Sequence, residues 1–292
     1  MKKLFKGKWE FLNDCILFRI TGGFADQVRI LAYIFIYIQH HPNTKIIFLI
    51  NNNEGSHGHE KFRLNFLNFE NYLKVEKYLF FEEFPKKIFN KYFRSKRMFH
   101  CFKKINRPFD GANFYFQPPY FIYSLPNLFT VNILIQHTDF KKWVVLKNNK
   151  TNSNFLQLIE NCKNPICLHV RAADINGAGN NGWIKKHDEI FNFYINNINE
   201  YSLNKDSVCF VFSNNIEWVK NKLDISKINC KIFFVDENGE TNPFSDLILM
   251  SKCKKFVLTG GGFGLLSYFY SKHKDKEFKS FVGWNSTIAF FY

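Results

Sequence analysis

The segment ICLHVRAAD, residues 166–174, decides the fold that we predict for this chain. Ile166 to Val170 form an apolar run of the kind found in a strand that is buried on both faces of a parallel sheet. His169 lies in this run, and Arg171 and Asp174 follow it at the start of a polar, glycine-containing segment. Ligands of open α/β folds bind at the carboxyl ends of such strands. The three polar side chains therefore predict an anion site for a phosphate-bearing substrate.

Helical and strand patterns alternate along the second half of the chain. This alternation predicts right-handed crossovers and a Rossmann-like parallel sheet with helices on both faces. The predicted helices are Phe155–Cys162, Asp188–Tyr201, Ile216–Leu223, Asp246–Cys253 and Gly264–Ser271, and the further strands are Val208–Ser213, Lys231–Val235, Phe256–Leu258 and Phe278–Val282.

The first half begins in the same way, which predicts a second Rossmann-like unit. A strand at Cys15–Ile20 is followed by a glycine turn, a helix at Gln27–Gln39 and a strand at Lys45–Ile50. Residues 62–102 have helical spacing with many aromatic side chains. The polar string at residues 147–154 indicates a linker, so we predict domains at residues 1–150 and 151–292.

The composition is that of a globular protein with unusual aromatic content. Hydrophobic residues make up 46% and charged residues 22%, which excludes disordered and fibrous classes, whereas 37 of the 292 residues are Phe. Frequent Phe, Ile, Lys and Asn together indicate an AT-rich genome in which Phe fills core positions. A partly exposed aromatic surface that stacks on carbohydrate is the alternative.

The net charge of +15 favours anionic partners. Much of it lies at residues 61–107, where Lys and Arg alternate with aromatic residues. Such a pattern is typical of solvated helix faces, of surfaces that rest on acidic lipid headgroups, or of nucleic-acid contacts. We expect no nucleic acid, because no recognised nucleic-acid-binding motif accompanies the charge, and we keep an anionic membrane surface as a partner.

The cysteines and the apolar runs bear on localisation. Seven cysteines form no CxxC pair, which predicts small buried side chains in a reducing compartment. Charged residues near the amino terminus interrupt any signal peptide, and no run approaches the roughly 18 apolar residues of a membrane span. We expect a cytoplasmic protein, with peripheral attachment to the inner membrane as an alternative.

Four ordered blocks resemble glycosyltransferase family 11, the alpha-1,2-fucosyltransferases. Its HxRRxD motif is similar to His169, Arg171 and Asp174, and its GGLGNQ turn resembles GGFADQ at residues 22–27. The family's FSDD or FSNN strand end followed by IEW is matched at residues 212–218. Its DLxLMSxC helix, with the strand and small-residue turn that follow, is matched at residues 246–263.

The resemblance implies a GT-B enzyme, in which two Rossmann-like domains face each other across a cleft. It implies an acceptor-side first domain, a donor-binding second domain, an inverting mechanism, no metal and no other cofactor. The sequence also lacks DxD and HExxH motifs. The catalytic residues that we predict are Arg171, Asp26 and Asp174, and the donor-binding residues are His169, Arg171, Gly22, Gly23, Asn214, Asp246, Gly260, Gly261, Gly262 and Phe263.

Arg171 is assigned to the departing diphosphate because a guanidinium donates two parallel hydrogen bonds to phosphate oxygens. Asp26 replaces the asparagine of the family's turn and is assigned as general base. The family's second arginine is Ala172 here, Ala173 precedes the aspartate, and its serine-rich turn has become GGGFGLL. These departures indicate either a different donor or reduced activity.

Several of these residues have a structural alternative. His169 is equally well a buried histidine that binds no ligand. For Arg171, whose anion-binding role is favoured, the alternative is an ion pair with Asp174 or Asp246. Asp174 is equally well a loop or helix cap, and aspartate at position 26 is also common in turns and at N-caps. The alternative for Asn214, Asn215 and Trp218 is that they cap and pack the following helix, and for Asp246 that it is an N-cap after Ser245. His187 and Asp188 are alternative bases.

The sequence thus predicts transfer of L-fucose from GDP-fucose to an oligosaccharide or lipid-linked glycan of the cell surface, as in lipopolysaccharide biosynthesis. The alternatives are a transferase that uses another nucleotide sugar and a non-catalytic protein that binds glycan or a membrane surface.

Overall fold

The computed structural model describes residues 15–20, 23–40, 42–43, 45–50, 61–80, 120–122, 138–147, 153–172, 187–203, 206–236 and 243–281. Contacts divide the chain into two compact units, Met1–Lys147 and Asn148–Tyr292. Each unit has its own parallel sheet, and this confirms the predicted α/β class. The assignment of acceptor to the first half and donor to the second stays a prediction.

The first unit contains a four-stranded sheet in the order β3-β2-β1-β4, with all neighbouring strands parallel. Its described strands are β1 (Cys15–Arg19), β2 (Lys45–Ile50), β3 (Val75–Phe80) and β4 (Tyr120–Ile122), and its described α-helices are α1 (Phe24–His40) and α2 (Thr138–Trp143). Single 3₁₀ turns occupy Leu64–Phe66 and Asn68–Asn71.

The predicted helical pattern over residues 62–102 is wrong for its described part. Residues 75–80 form the strand β3, which pairs in parallel with β2. Aromatic residues at this spacing satisfy a helical period and also a strand period, and the pairing with a distant strand decides between them. Residues 81–102 lie outside the described residues.

The second unit contains a five-stranded sheet in the order β7-β6-β5-β8-β9, with all neighbouring strands parallel. This is the strand order 3-2-1-4-5 of a doubly wound fold, with β5 in the centre. The strands are β5 (Asn164–Val170), β6 (Ser207–Ser213), β7 (Lys231–Phe234), β8 (Lys255–Leu258) and β9 (Glu277–Ser280). The α-helices are α3 (Ser153–Glu160), α4 (His187–Tyr201), α5 (Ile216–Lys222), α6 (Pro243–Met250) and α7 (Gly262–Tyr270), and residues 225–227 form a 3₁₀ turn.

Helices cover both faces of this second sheet. Ile166, Leu168 and Val170 of β5 pack in one buried cluster with side chains of α4 and α5. Cys167, which points to the opposite face of β5, packs in a second cluster with side chains of α6 and α7. Burial on both faces explains why residues 165–168 of β5 are all apolar rather than alternating with polar residues.

Phenylalanine and cysteine serve this packing. Apart from Tyr194, the largest fully buried side chains among the described residues are all phenylalanines. Free thiols are found at Cys162, Cys167, Cys209, Cys230 and Cys253, of which Cys167, Cys209 and Cys253 are buried. Burial raises the pKa of the Cys167 and Cys209 thiols, so these groups stay protonated and unreactive.

Candidate functional site

The carboxyl ends of β5, β6 and β8 meet at one edge of the second sheet. Val170 at the end of β5 pairs with Ser213 at the end of β6, and His169 pairs with Leu258 at the end of β8. The polar residues that follow these strands are therefore close to one another, as the sequence predicted. Ligands of doubly wound folds bind at this edge.

A glycine turn joins β8 to helix α7 at this edge. Gly260 and Gly261 have φ angles of 132° and 90°, which residues with a side chain rarely adopt. Helix α7 begins at the next residue, Gly262. The N-cap residue Gly261 contributes no side chain to the helix end. Backbone N–H groups at such an end, with the positive end of the helix dipole, favour a bound anion.

The side chain of Arg171 lies over this glycine turn. A Cβ atom placed on Gly261 would be 3.4 Å from Arg171 Nη1 and 3.7 Å from Arg171 Cδ. The structure thus brings together the guanidinium and the helix N-terminus that the sequence assigned to the same anion. Arg171 is partly exposed, so its guanidinium can contact a ligand from solvent.

His169 is buried beside Arg171, on the face of β5 that packs against α7. Its ring is 5.8 Å from the ring of Phe263, and its Nδ1 atom has no hydrogen-bond partner among the described residues. Burial, with the positive charge of Arg171, lowers the pKa of His169 to about 4. The imidazole is neutral at pH 7, so the positive charge beside the turn comes from Arg171.

Gly264 in the first turn of α7 makes room for this imidazole. A Cβ atom placed on Gly264 would be 2.9 Å from His169 Nδ1 and 3.2 Å from Leu258 Cδ2. Both neighbours belong to buried strands, which cannot shift cheaply. The close approach of α7 to β5 therefore requires glycine at position 264.

We expect Gly264→Ala to lower the free energy of unfolding by about 1 to 3 kcal/mol, because the added methyl group overpacks the site. Gly262→Ala is the matched control, since Gly262 lies in the same helix turn and its φ is not positive. We expect the control to stay within about 1 kcal/mol of the parent. Denaturant titration of the three proteins measures both effects, and equal stability of the two variants would contradict this packing account.

The predicted residues on β6 and α6 lie at or near the same edge. Asn214 is exposed and follows β6, whereas Asn215 is the N-cap of α5 and its side chain accepts a hydrogen bond from the Trp218 N–H at 3.1 Å. Asp246 is buried, and the interpretation of it as an N-cap is wrong, because α6 begins at Pro243. Proline at the first helical position fixes the start.

In the first unit, Asp26 lies in the first turn of α1. Its Oδ2 atom accepts a hydrogen bond of 3.2 Å from the backbone N–H of Gly23, as in one half of a capping box. The neighbouring Gln27 is fully buried and makes two 2.8 Å bonds, donating to the Lys61 carbonyl and accepting from the Arg63 N–H. Gln27 thereby holds residues 61–63 against the helix start.

Five further positions were singled out in the sequence. Gly22, Ala173 and Asp174 lie outside the described residues. His187 and Asp188 begin α4.

Sequence reasoning missed two site residues, Thr259 and Tyr194. The Thr259 hydroxyl accepts a hydrogen bond from the backbone N–H of Arg171, and the Tyr194 hydroxyl contacts that of Thr259. A polar residue directly after the apolar run of β8 was the available signal for Thr259. Tyr194 resembles any core aromatic residue of an amphipathic helix, so nothing in the sequence distinguishes it.

Among the described residues, no group of three or more His, Cys, Asp or Glu side chains could hold a metal ion. None of the helices in that part of the chain is both long and apolar enough to cross a membrane.

Comparison with known proteins identifies the class of enzyme. Residues 138–276 match the model of glycosyl transferase family 11. The match covers just under half of the chain and includes three of the four blocks on which the resemblance was based. It confirms that resemblance and supports a fucosyltransferase-like glycosyltransferase.

Solved structures show a weaker similarity. POFUT1 in complex with GDP-fucose is 14% identical, with a TM-score of 0.47 over 93% of this chain and 99% of that chain. A FUT1 variant of Arabidopsis thaliana in complex with GDP is 12% identical, with a TM-score of 0.49 over 94% and 71% of the two chains. A family 9 glycosyl transferase from Veillonella parvula is 8% identical, with a TM-score of 0.40 over 94% and 88%. The comparison with curated protein sequences found no match.

Proposed function

We propose that this protein transfers L-fucose from GDP-fucose to a hydroxyl group of a cell-surface glycan, and that the nucleoside diphosphate binds at the carboxyl edge of the second sheet. The observation that carries the proposal is the guanidinium of Arg171 lying over the glycine turn at the start of α7. Together they offer a fixed positive charge and backbone N–H groups to one diphosphate.

The proposed reaction is an inverting displacement. The acceptor oxygen forms a bond to C1 of the sugar, while the bond from C1 to the phosphate oxygen breaks and its electron pair leaves with GDP. Arg171 stabilises the negative charge that develops on the leaving diphosphate. Such stabilisation is a contribution to the transition state rather than to substrate binding alone.

A carboxylate must accept the proton of the acceptor hydroxyl. Asp26 is the base that we propose, with Asp174 as a second catalytic carboxylate. The hydrogen bond from the Gly23 N–H restricts the orientation of the Asp26 carboxylate. The same bond gives Asp26 a helix-capping role, so Asp26→Asn is a suitable variant because its amide oxygen can still accept that bond.

A transferase with a different nucleotide sugar is the second candidate. Ala172, at the position of the family's second arginine, is fully buried. The motif therefore supplies one guanidinium, that of Arg171. Binding of the diphosphate then depends more heavily on Arg171 and on the glycine turn. A nucleotide sugar with a different base or a different sugar could be bound through the same diphosphate contacts.

We expect GDP to raise the melting temperature more than UDP, CDP or dTDP does. A ligand at one hundred times its dissociation constant adds about 2.7 kcal/mol to the free energy of unfolding. A thermal-shift series with the four diphosphates and their sugars measures this. A larger shift with another nucleotide would favour the second candidate, and no shift with any nucleotide would contradict both and leave a non-catalytic protein.

Turnover in the presence of a chelator tests the proposal that no metal is needed. Arg171 supplies the charge that a divalent cation supplies in other transferases, so transfer should continue in excess chelator. Loss of transfer that added magnesium restores would contradict this part of the mechanism.

A further inference from the structure

A buried hydroxyl lies behind Arg171. Thr259 follows β8 directly and is fully buried, and its Oγ1 atom accepts a 3.0 Å hydrogen bond from the backbone N–H of Arg171. The same Oγ1 atom donates a 3.0 Å hydrogen bond to the carbonyl oxygen of His169. The hydroxyl thus bridges the two residues that flank Val170, the last residue of β5.

The Thr259 hydroxyl replaces a main-chain hydrogen bond just beyond the ends of the paired strands β5 and β8. The Thr259 N–H donates to the His169 carbonyl at 3.1 Å, as in a regular parallel ladder. In that ladder the next bond would join the Arg171 N–H to the carbonyl of Thr259. Here the N–H bonds to the Thr259 side chain instead, so the conformation at Arg171 depends on that side chain.

Tyr194 of helix α4 completes the arrangement. Its hydroxyl is 2.5 Å from Thr259 Oγ1, and the tyrosine is fully buried. A threonine hydroxyl has one hydrogen to donate and two lone pairs to accept with. Because Thr259 donates to His169 and accepts from Arg171, its second lone pair is left for the Tyr194 O–H, and every position on the hydroxyl is used.

We infer that Thr259 and Tyr194 are positioning residues for Arg171: the buried hydroxyl pair fixes the backbone from which the guanidinium extends over the glycine turn. This inference rests on the proposed function, because it gives the pair a purpose only if Arg171 binds the diphosphate. Neither side chain needs to touch the ligand. Both act by restricting where the guanidinium can lie, which reduces the entropy lost on binding.

The test measures GDP affinity by calorimetry in a series of variants. Thr259→Val keeps the shape of the side chain and removes the hydroxyl, and Tyr194→Phe removes only the second hydroxyl. We expect Thr259→Val to weaken GDP binding about tenfold and Tyr194→Phe by a smaller factor, as for coupled neighbours. Thr259→Ser keeps the hydroxyl and should bind GDP as the parent does.

The same substitutions in an Arg171→Ala background separate positioning from general packing. If Thr259 and Tyr194 act through Arg171, their removal should change GDP affinity less than about twofold once the guanidinium is gone. Tyr201→Phe is the matched control, because Tyr201 is a buried tyrosine at the other end of α4. It should leave GDP affinity unchanged. Unfolding curves identify variants that do not fold, and if Thr259→Val is among them, Tyr194→Phe carries the test.

The outcomes distinguish this inference from the proposed function. If the parent does not bind GDP or any other nucleoside diphosphate, the proposed function fails and the inference with it. If the parent binds and Arg171→Ala weakens binding, but Tyr194→Phe and a folded Thr259→Val do not, the inference alone is overturned. Equal losses in the parent and Arg171→Ala backgrounds, or an equal loss in Tyr201→Phe, would also overturn it.

Discussion

Replacing Arg171 with alanine is expected to lower the rate of sugar transfer about 100-fold or more. One preorganised donor at a site of developing charge contributes about 10²- to 10³-fold to the rate. Arg171 is placed for this role because its side chain lies within 3.4 Å of a Cβ position on Gly261, at the N-terminal end of α7. Steady-state transfer from GDP-fucose to glycan acceptors measures the effect.

Two further variants make this result specific. Arg171→Lys keeps the charge but loses the fork of donors, so we expect an intermediate rate. Lys227→Ala removes a cation that forms an exposed ion pair with Asp224 in the same unit, and the rate should not change. Similar rates for the parent and Arg171→Ala would remove Arg171 from the mechanism.

The unfolding free energy should fall by about 3 kcal/mol through His169 alone as the pH is lowered from about 6.5 to about 4. The imidazole is neutral in the fold, where burial and Arg171 lower its pKa to about 4. The unfolded chain, with the ordinary pKa of 6.5, binds a proton first. Protons therefore favour the unfolded state, and the stability present at neutral pH is lost as the pH falls.

Comparison with His169→Asn isolates this contribution. Asparagine does not titrate, so the other groups of the chain contribute equally to the pH dependence of both proteins. Denaturant titrations near pH 7 and pH 4 give the free energy of unfolding of each protein at the two pH values. Between them, this free energy should fall by about 3 kcal/mol more in the parent than in the variant. Equal losses would show that the folded state does not lower the pKa of His169.

The strands of the second unit could be predicted well because their sequences agree with their surroundings. Val208–Ser213 and Phe256–Leu258 were predicted within one residue of the observed strands. A short apolar run bounded by polar residues is typical of a strand that is buried on both faces of a parallel sheet.

Helix starts were predicted less well. Helix α1 begins at Phe24 rather than Gln27, and α6 at Pro243 rather than Asp246. The first turn of a helix makes few contacts that impose a period on the sequence. Asp26, in the first turn of α1, was predicted to lie in the turn before that helix. Asp246, in the first turn of α6, was interpreted as its first residue or its N-cap.

The contacts that shape the candidate site lie beyond the reach of sequence patterns. Thr259 and Tyr194 are 65 positions apart and meet only because α4 packs on the sheet beside β8. The need for glycine at position 264 arises from His169, on a strand that is distant in sequence. Such requirements belong to packing between elements, whereas the motif residues themselves were visible in the sequence.

A crystal structure with GDP tests the central claim most directly. We expect the diphosphate to lie against the Arg171 guanidinium and the N–H groups of residues 261–263, with Thr259 and Tyr194 still joined behind it. A diphosphate bound away from this edge of the second sheet would contradict the account.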